Sequence, residues 1–349
     1  MVGSSLKRHA EENDSDDTDE MQVKKLKVPS SEEATMRAAL VASQANKEEA
    51  IGPEPEGSIA DIDANDKENL ALVSEYVNDI YDHLYQLEIK QPIHKNHLAA
   101  QEDITHKMRA VLINWINELH QELYLVEETF QLAVAIIDRY LQAVNNTNRI
   151  NLQLVGVTAF LIAAKYEDEL PPAINDLVYF TEETYTAREI RLMELQILKT
   201  IDYNLSRPLP IQFLRRYSKA AGTEVEQQAM AKYFVELAAM DYDLASYKPS
   251  EIAAASLFLS LHLLNGNPQA GTGLDDQYWS PTLAHYSRYT ATHLGPITRQ
   301  IAKVVRDAPQ AELKAIHNKY KGSWCQKIAL RTELSGPLID SIVDQTLKE

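Results

Sequence analysis

Two stretches of this chain, LQLVGVTAFLIAAKY (152–166) and PSEIAAASLFLSLHLL (249–264), are apolar nearly all the way round a helix and recur after about 100 residues. A helix without a polar face cannot lie on a surface, so each must be the central member of a packed set. Each follows an amphipathic stretch. The first follows 127–142, with Phe130, Ala133/Val134, Ile137 and Leu141 at helical spacing, and the second follows 224–241. Glycine is scarce, period-2 strand runs are absent, and prolines stand at the joints (Pro171–Pro172, Pro208, Pro210, Pro249, Pro281). These features predict an all-α fold built from a duplicated helical unit of about 100 residues; the alternative is one large all-α domain. The longest apolar run, Leu154 to Ala164, is broken by Gly156 and Thr158 and is too short to cross a bilayer.

A third stretch, MRAVLINWINELH (108–120), is harder to place. At about 100° per residue, Met108, Leu112 and Leu119 fall together, with Val111 and Trp115 on one side and Ile113 and Ile116 on the other. The apolar arc is roughly 200° wide, where roughly 100° suffices to pack on one core. One flank therefore meets something besides its own core. Arg109 falls in the Ile113/Ile116 half, where a charge needs a partner.

Composition narrows the function. Apolar residues make up 45% and charged residues 24%, as in soluble globular proteins. Cys325 is the only cysteine, which excludes an internal disulfide and a multi-cysteine zinc site. The formal net charge of −17 is the wrong sign for a broad nucleic-acid surface. The N-terminus lacks the apolar core of a secretory signal, so the expected location is inside the cell. Residues 1–60 hold seven Lys/Arg and thirteen Asp/Glu and read as a disordered arm, with order expected from about Asn69. GNPQAGTG (266–273) lacks the Lys-Ser/Thr of a phosphate loop, and no G-x-S-x-G occurs. Tyr166-Glu167-Asp168-Glu169 bunches carboxylates without marking an acid/base pair. His94, His97 and His106 read as solvated loop residues rather than metal ligands. No catalytic residue, cofactor or metal is called for.

The assembled stretches resemble the cyclin box. MRAVLINWINELH, ETFQLAVAIIDRYL (128–141), LQLVGVTAFLIAAKYED (152–168), PPAINDLVYFTEETYT (171–186), REIRLMELQIL (188–198) and RPLPIQFLRRYSKA (207–220) stand in the order of the mitotic cyclins. NDIY within 74–88, FLRR-S-K and VEQQAMAKYFVELAAMDYD (225–243) are similar to the B type more than the A type. The resemblance implies two tandem five-helix boxes, at 107–206 and 207–334. They would be preceded by an N-terminal helix and connection (61–106) and followed by a tail (335–349). It implies a non-catalytic activator of a mitotic cyclin-dependent kinase, acting at the G2/mitosis transition in nucleus and cytoplasm. The alternative is a cyclin-fold scaffold that works without a kinase.

The resemblance also assigns residues. Arg109 should pair with Asp138 inside the first box. Lys165 and Glu194, with Tyr203 and Leu205 beside them, match the kinase-contact positions. Tyr76, Ile80 and His83 of 73–88 form a stripe able to join that contact, His83 standing where tyrosine is usual. Met108, Val111, Leu112, Trp115 and Glu118, with Leu152 and Gln153, match a groove for Arg-x-Leu peptides of substrates or inhibitors; alternatively that face is covered by the second box or the N-terminal helix. Arg215 and Lys232 match a phosphate pocket, with Gln228 in place of histidine. In the arm, Arg37 and Leu40 fit a destruction box, Lys67-Glu68-Asn69 spell a KEN degron for the ubiquitin ligase of mitotic exit, and KR (7–8) with KKLK (24–27) resembles a nuclear signal.

Overall fold

The computed structural model describes residues 59–344 apart from 268, 270 and 272. The destruction box at Arg37 and Leu40 and both basic clusters lie outside the described residues. Thirteen α-helices and several single 3-10 turns account for the regular structure of the described residues. The helix α1 (Val77–Lys90) leads into a first set, α2 (His106–Glu122), α3 (Glu127–Ala143), α4 (Leu152–Glu167), α5 (Ile174–Phe180) and α6 (Ala187–Thr200). A second set follows: α7 (Pro210–Ala221), α8 (Val225–Met240), α9 (Pro249–Asn265), α10 (Pro281–Ser287) and α11 (Ala291–Asp307). Two short helices end it, α12 (Ala315–Lys319) and α13 (Pro337–Asp344).

The architecture repeats because the apolar pattern does. In α4 every residue from Leu154 to Ala164 is buried, and in α9 every residue from Pro249 to Leu263 is. Their neighbours surround them in the same order: α4 packs on α3, α6 and α2, and α9 on α8, α11 and α7. Starts and stops are chemical. Thr105 accepts from the Met108 N–H, and Thr186 and Glu189 cap each other's backbone at α6. Proline opens α7 and α9, where its missing N–H costs nothing. Gly156 allows close approach of α2 and α4: a Cβ there would sit 2.5 Å from Leu112 Cδ1.

Three expectations change. Order begins before Asn69, because Asp63 accepts a bidentate pair from Arg216 (2.6 Å to each oxygen) and a further bond from Lys219, which also holds Asp66. The first helix starts at Val77 rather than Val73, which adopts a left-handed φ of 43° after a turn at Leu70–Leu72. The expected tail contains α13, whose Leu338, Ile339, Ile342 and Val343 pack into the core against α11.

The sets are joined by polar bonds as well as apolar contact. The Ile211 N–H donates to Gln131 Oε1 at 3.0 Å, and Arg109 Nη1 donates to the Met240 carbonyl at 3.3 Å. Asn117 Nδ2 donates to the buried Glu236 at 3.1 Å, where Lys319 and the Tyr320 hydroxyl also converge. The polar side of α2 thus meets the second set, which explains why Asn114 and Asn117 are buried.

Candidate functional site

The α2 helix settles its wide apolar arc by facing three environments. Ile113, Ile116, Leu119 and Leu112 enter the first core, while Asn114 and Asn117 face α8 and α12. The remaining strip stays open: Val111 is 47% exposed, Met108 and Trp115 are half-buried, and Glu118 is exposed. Leu152 and Gln153 stand at the first turn of α4, which packs against α2; Leu152 is buried and Gln153 half-buried. The open strip is a shallow apolar surface with a carboxylate at its edge. Among the described residues the second set borders this strip, with Glu312 paired to Lys107, but leaves Val111 and Glu118 exposed. Glu118 is held in place by Asn114, whose Nδ2 donates to Glu118 Oε1 (2.9 Å) while its Oδ1 accepts the Ala315 N–H (3.0 Å).

Away from that strip, α2 carries Arg109, which pairs with Asp138 of α3. The guanidinium is 0% exposed and donates through Nε (2.6 Å) and Nη2 (2.7 Å) to the two oxygens of Asp138, with Nη1 donating to the Met240 carbonyl. Burial alone would raise the Asp138 pKa, but the Arg109 charge and hydrogen bonds, with His97 behind them, outweigh it and hold it at about 2. The His97 Nε2 lies 3.4 Å from Asp138, and its ring stacks on Tyr242, as does that of His106. His97 is therefore buried, not the solvated loop residue expected. Its burial comes from the 92–105 segment folding over α3, which no local periodicity reports.

At the opposite end of α4 from Leu152 and Gln153, Lys165 meets Glu194 of α6 at 2.6 Å, with the lysine half-exposed. Two leucines that sequence reading passed over, Leu192 and Leu195, are exposed on either side of Glu194. The signal was present: REIRLMELQIL has more apolar residues than the buried set Ile190, Met193 and Ile197 requires. Beyond α6, Asp202 and Tyr203 are both left-handed (φ 55° and 53°), a conformation costing non-glycine residues about 1 kcal/mol each. This bend displays the exposed Tyr203 ring while Leu205 is half-buried.

The N-terminal helix divides its faces. Tyr81 and Tyr85 pack on Phe213 of α7, whereas Tyr76, Ile80 and His83 are exposed. Leu70, Leu72 and Val73 extend the exposed apolar surface before α1. Lys67 and Glu68 are exposed just before them, and Asn69 spends its side chain on the Ala71 N–H.

At the positions matched to a phosphate pocket, both cations already have partners. Arg215 pairs with Glu128 at 2.5 Å, and Lys232 with Glu127 at 2.9 Å, so both cations are matched by carboxylates of the first turn of α3. Gln228 donates to the Thr223 carbonyl of its own turn. These residues tie the two sets together and do not form a free cationic cradle. Asp168 of the carboxylate cluster likewise has a structural task, accepting from the Val126 N–H and the Thr129 hydroxyl at the start of α3.

Comparison with known proteins follows the same division of the chain. Residues 79–206 match the family model described as cyclin, N-terminal domain, and residues 208–334 match cyclin, C-terminal domain. A G2/mitotic-specific cyclin-B of Drosophila melanogaster is 71% identical over 291 residues, which are 83% of this chain and 55% of that protein. A G2/mitotic-specific cyclin-B of Spisula solidissima is 46% identical over 285 residues, 82% of this chain and 64% of that one. The chain thus spans less than two-thirds of the length of either relative. The X-ray structure of a viral cyclin from herpesvirus saimiri superposes with a TM-score of 0.55 at 21% identity, covering 64% of this chain and 96% of that one, a likeness of fold.

Proposed function

This chain belongs to the cyclin family, in its B-type mitotic branch, and from that premise we propose that it is the regulatory subunit of a mitotic cyclin-dependent protein kinase. A kinase needs its C-helix glutamate paired with the lysine that grips ATP. A rigid partner that binds only the inward C-helix position shifts the kinase toward the active state by its differential affinity. The observation that carries this reading is the surface around Lys165 and Glu194. It has a charged pair able to bond a helix end and loop, with Leu192 and Leu195 exposed on the helix of Glu194 and Tyr203 exposed just after that helix ends, none of these three side chains being buried in the chain's own core. The exposed Tyr76, Ile80 and His83 are assigned to the same contact, and the half-buried Leu205 to the socket with Tyr203. The chain contributes no reacting group and acts as a non-catalytic activator.

The open strip of Met108, Val111, Trp115 and Glu118, backed by Leu112, Leu152 and Gln153, is assigned to Arg-x-Leu segments of substrates or inhibitors. An apolar trough with an acidic rim suits a basic residue followed by a leucine. Control of the G2/mitosis transition, residence in nucleus and cytoplasm, and removal by a ubiquitin ligase through Arg37/Leu40 and Lys67-Glu68-Asn69 complete the proposal; the exposure of Lys67 and Glu68 is compatible with their recognition.

Replacing Lys165→Ala together with Glu194→Ala tests the central claim. Kinase activation by the purified chain should fall at least tenfold. The melting temperature should barely move, since a half-exposed pair contributes roughly 0–1 kcal/mol. A parental activation curve, or a loss of activation matched by a collapse in melting temperature, overturns it.

A further inference from the structure

The segment 313–332 carries five Lys/Arg and no Asp/Glu, in a chain whose formal net charge is −17. Two of those cations are neutralised: Lys319 by Glu236, and Arg331 by Glu226 and Glu333. The other three, Lys314, Lys321 and Lys327, are exposed and have no carboxylate partner among the described residues. The imidazole of His317 registers their field. Burial lowers its pKa first, and the charges of Lys321 and Lys314 lower it further.

Within this segment the chain makes a closed loop. The Ala329 N–H donates to the Tyr320 carbonyl at 3.1 Å, and the Lys327 N–H returns to the Gly322 carbonyl at 3.0 Å. The two ends are fixed in the core. Tyr320 is buried and donates to Glu236 at 2.9 Å, and Ile328 is buried. The turn at Gln326 and Lys327 is left-handed, with φ of 57° and 56°. The result is an anchored loop with Trp324 at its tip, 90% exposed, and Lys321 and Lys327 set on either side. A large aromatic ring held out by a rigid base loses little conformational freedom on binding, which is the property of an interface anchor.

We propose that the loop 321–327 is a second docking site, distinct from the open strip on α2 and from the Lys165/Glu194 surface, for an acidic segment of a partner protein that inserts an apolar side chain against Trp324. Its cations are complementary to Asp, Glu or phosphorylated residues. A short segment feels mainly the charges near the loop, because those farther than about 8 Å away are screened at physiological salt. The carboxylates whose fields reach Cys325, those of Glu236 and Glu127, are each paired with a lysine, Lys319 and Lys232. Broad anionic surfaces are disfavoured. A membrane or a duplex would face the whole acidic chain as well, and three uncompensated lysines fall short of the basic clusters of about four to eight that hold anionic lipid.

The test uses the full chain and a labelled synthetic peptide in which Glu residues flank a central Phe-Leu pair, with its Lys-for-Glu counterpart as control. The acidic peptide should bind saturably, with affinity falling at least tenfold between about 50 and 300 mM salt, and the basic peptide should not bind. Trp324→Ala should weaken binding about tenfold. Lys321→Glu with Lys327→Glu should abolish it and transfer binding to the basic peptide. Both variants replace exposed side chains, so melting temperature and kinase activation should stay parental. Absence of acidic-peptide binding, parental affinity in the variants, or binding to phosphatidylserine vesicles without binding to the peptide overturns the proposal.

Discussion

The two boxes are built alike but finished differently. In the first, α2 and the start of α4 leave an apolar strip open to solvent. In the second, the counterpart helices α7 and α9 meet across a surface that the chain fills itself. Tyr85 of α1 lies 5.1 Å from the Phe213 ring and shares a 2.6 Å hydroxyl bond with Tyr217. Glu88, at the other end of the same face, accepts from Ser250 N–H (3.1 Å) and Oγ–H (2.7 Å). Ser250 is the second residue of α9, as Gln153 is of α4. Their buried arginines differ in the same sense. Arg109 finds its carboxylate within the first box, whereas Arg216 takes Asp63 from the segment before α1 and stacks on Tyr81 and Tyr286. The first box also leans on its neighbours, through His97 beside Asp138 and the Met240 carbonyl on Arg109, but its strip on α2 stays open. The second needs residues 59–90 to be complete, and in recruiting them it fixes the orientation of the helix that bears Tyr76 and Ile80.

The comparison breaks most sharply if the first box's internal pair proves dispensable. Asp138→Asn should cost about 3–5 kcal/mol by stranding a buried guanidinium, a drop in melting temperature on the order of 10 °C. Acid should act on the same group. With its folded pKa held at about 2 against an ordinary 3.8, the stability from Asp138 is full above the ordinary value and drains as pH falls through about 2. The variant's melting temperature should therefore fall less steeply across that window than the parent's. A parallel pair of curves would show that the carboxylate is not what holds Arg109.

Emptying the second groove is the next largest test. Tyr85→Ala removes a buried ring and its bond to Tyr217, and should cost about 3 kcal/mol. It should also loosen α1 and so reduce kinase activation, measurable as faster amide exchange along Val77–Lys90. Unchanged exchange there would mean that α1 is held by something other than the filled groove.

How much of this was legible beforehand depends on the range of the interaction. The central helices α4 and α9 announced themselves through composition alone, because a helix without a polar face has one possible place, and the amphipathic neighbours gave the repeat around them. The excess width of the α2 arc was equally visible, since a count of apolar residues on a wheel needs no partner. What was hidden depends on residues far apart. His97 is buried by Tyr242 and Asp138. Arg215 and Lys232 are matched by Glu128 and Glu127 from the other box, and α13 docks on α11 with a pattern only eight residues long. A charge without a local partner looks free in a sequence, and these two cations did.

The smallest stability effect carries the most weight for function. Trp115 is half-buried on the open strip, so Trp115→Ala should cost no more than about 1 kcal/mol, against about 3 for Tyr85→Ala on the filled side. Yet, on the proposed assignment of the strip, it should weaken phosphorylation of Arg-x-Leu substrates at least fivefold while leaving short peptides without that motif unaffected, because the ring only partly packs on the core and keeps a face for recognition. Equal stability losses for Trp115 and Tyr85 would mean that the first groove is as much part of the folded interior as the second. Equal rate losses for both substrate classes would place Trp115 in kinase activation instead of docking.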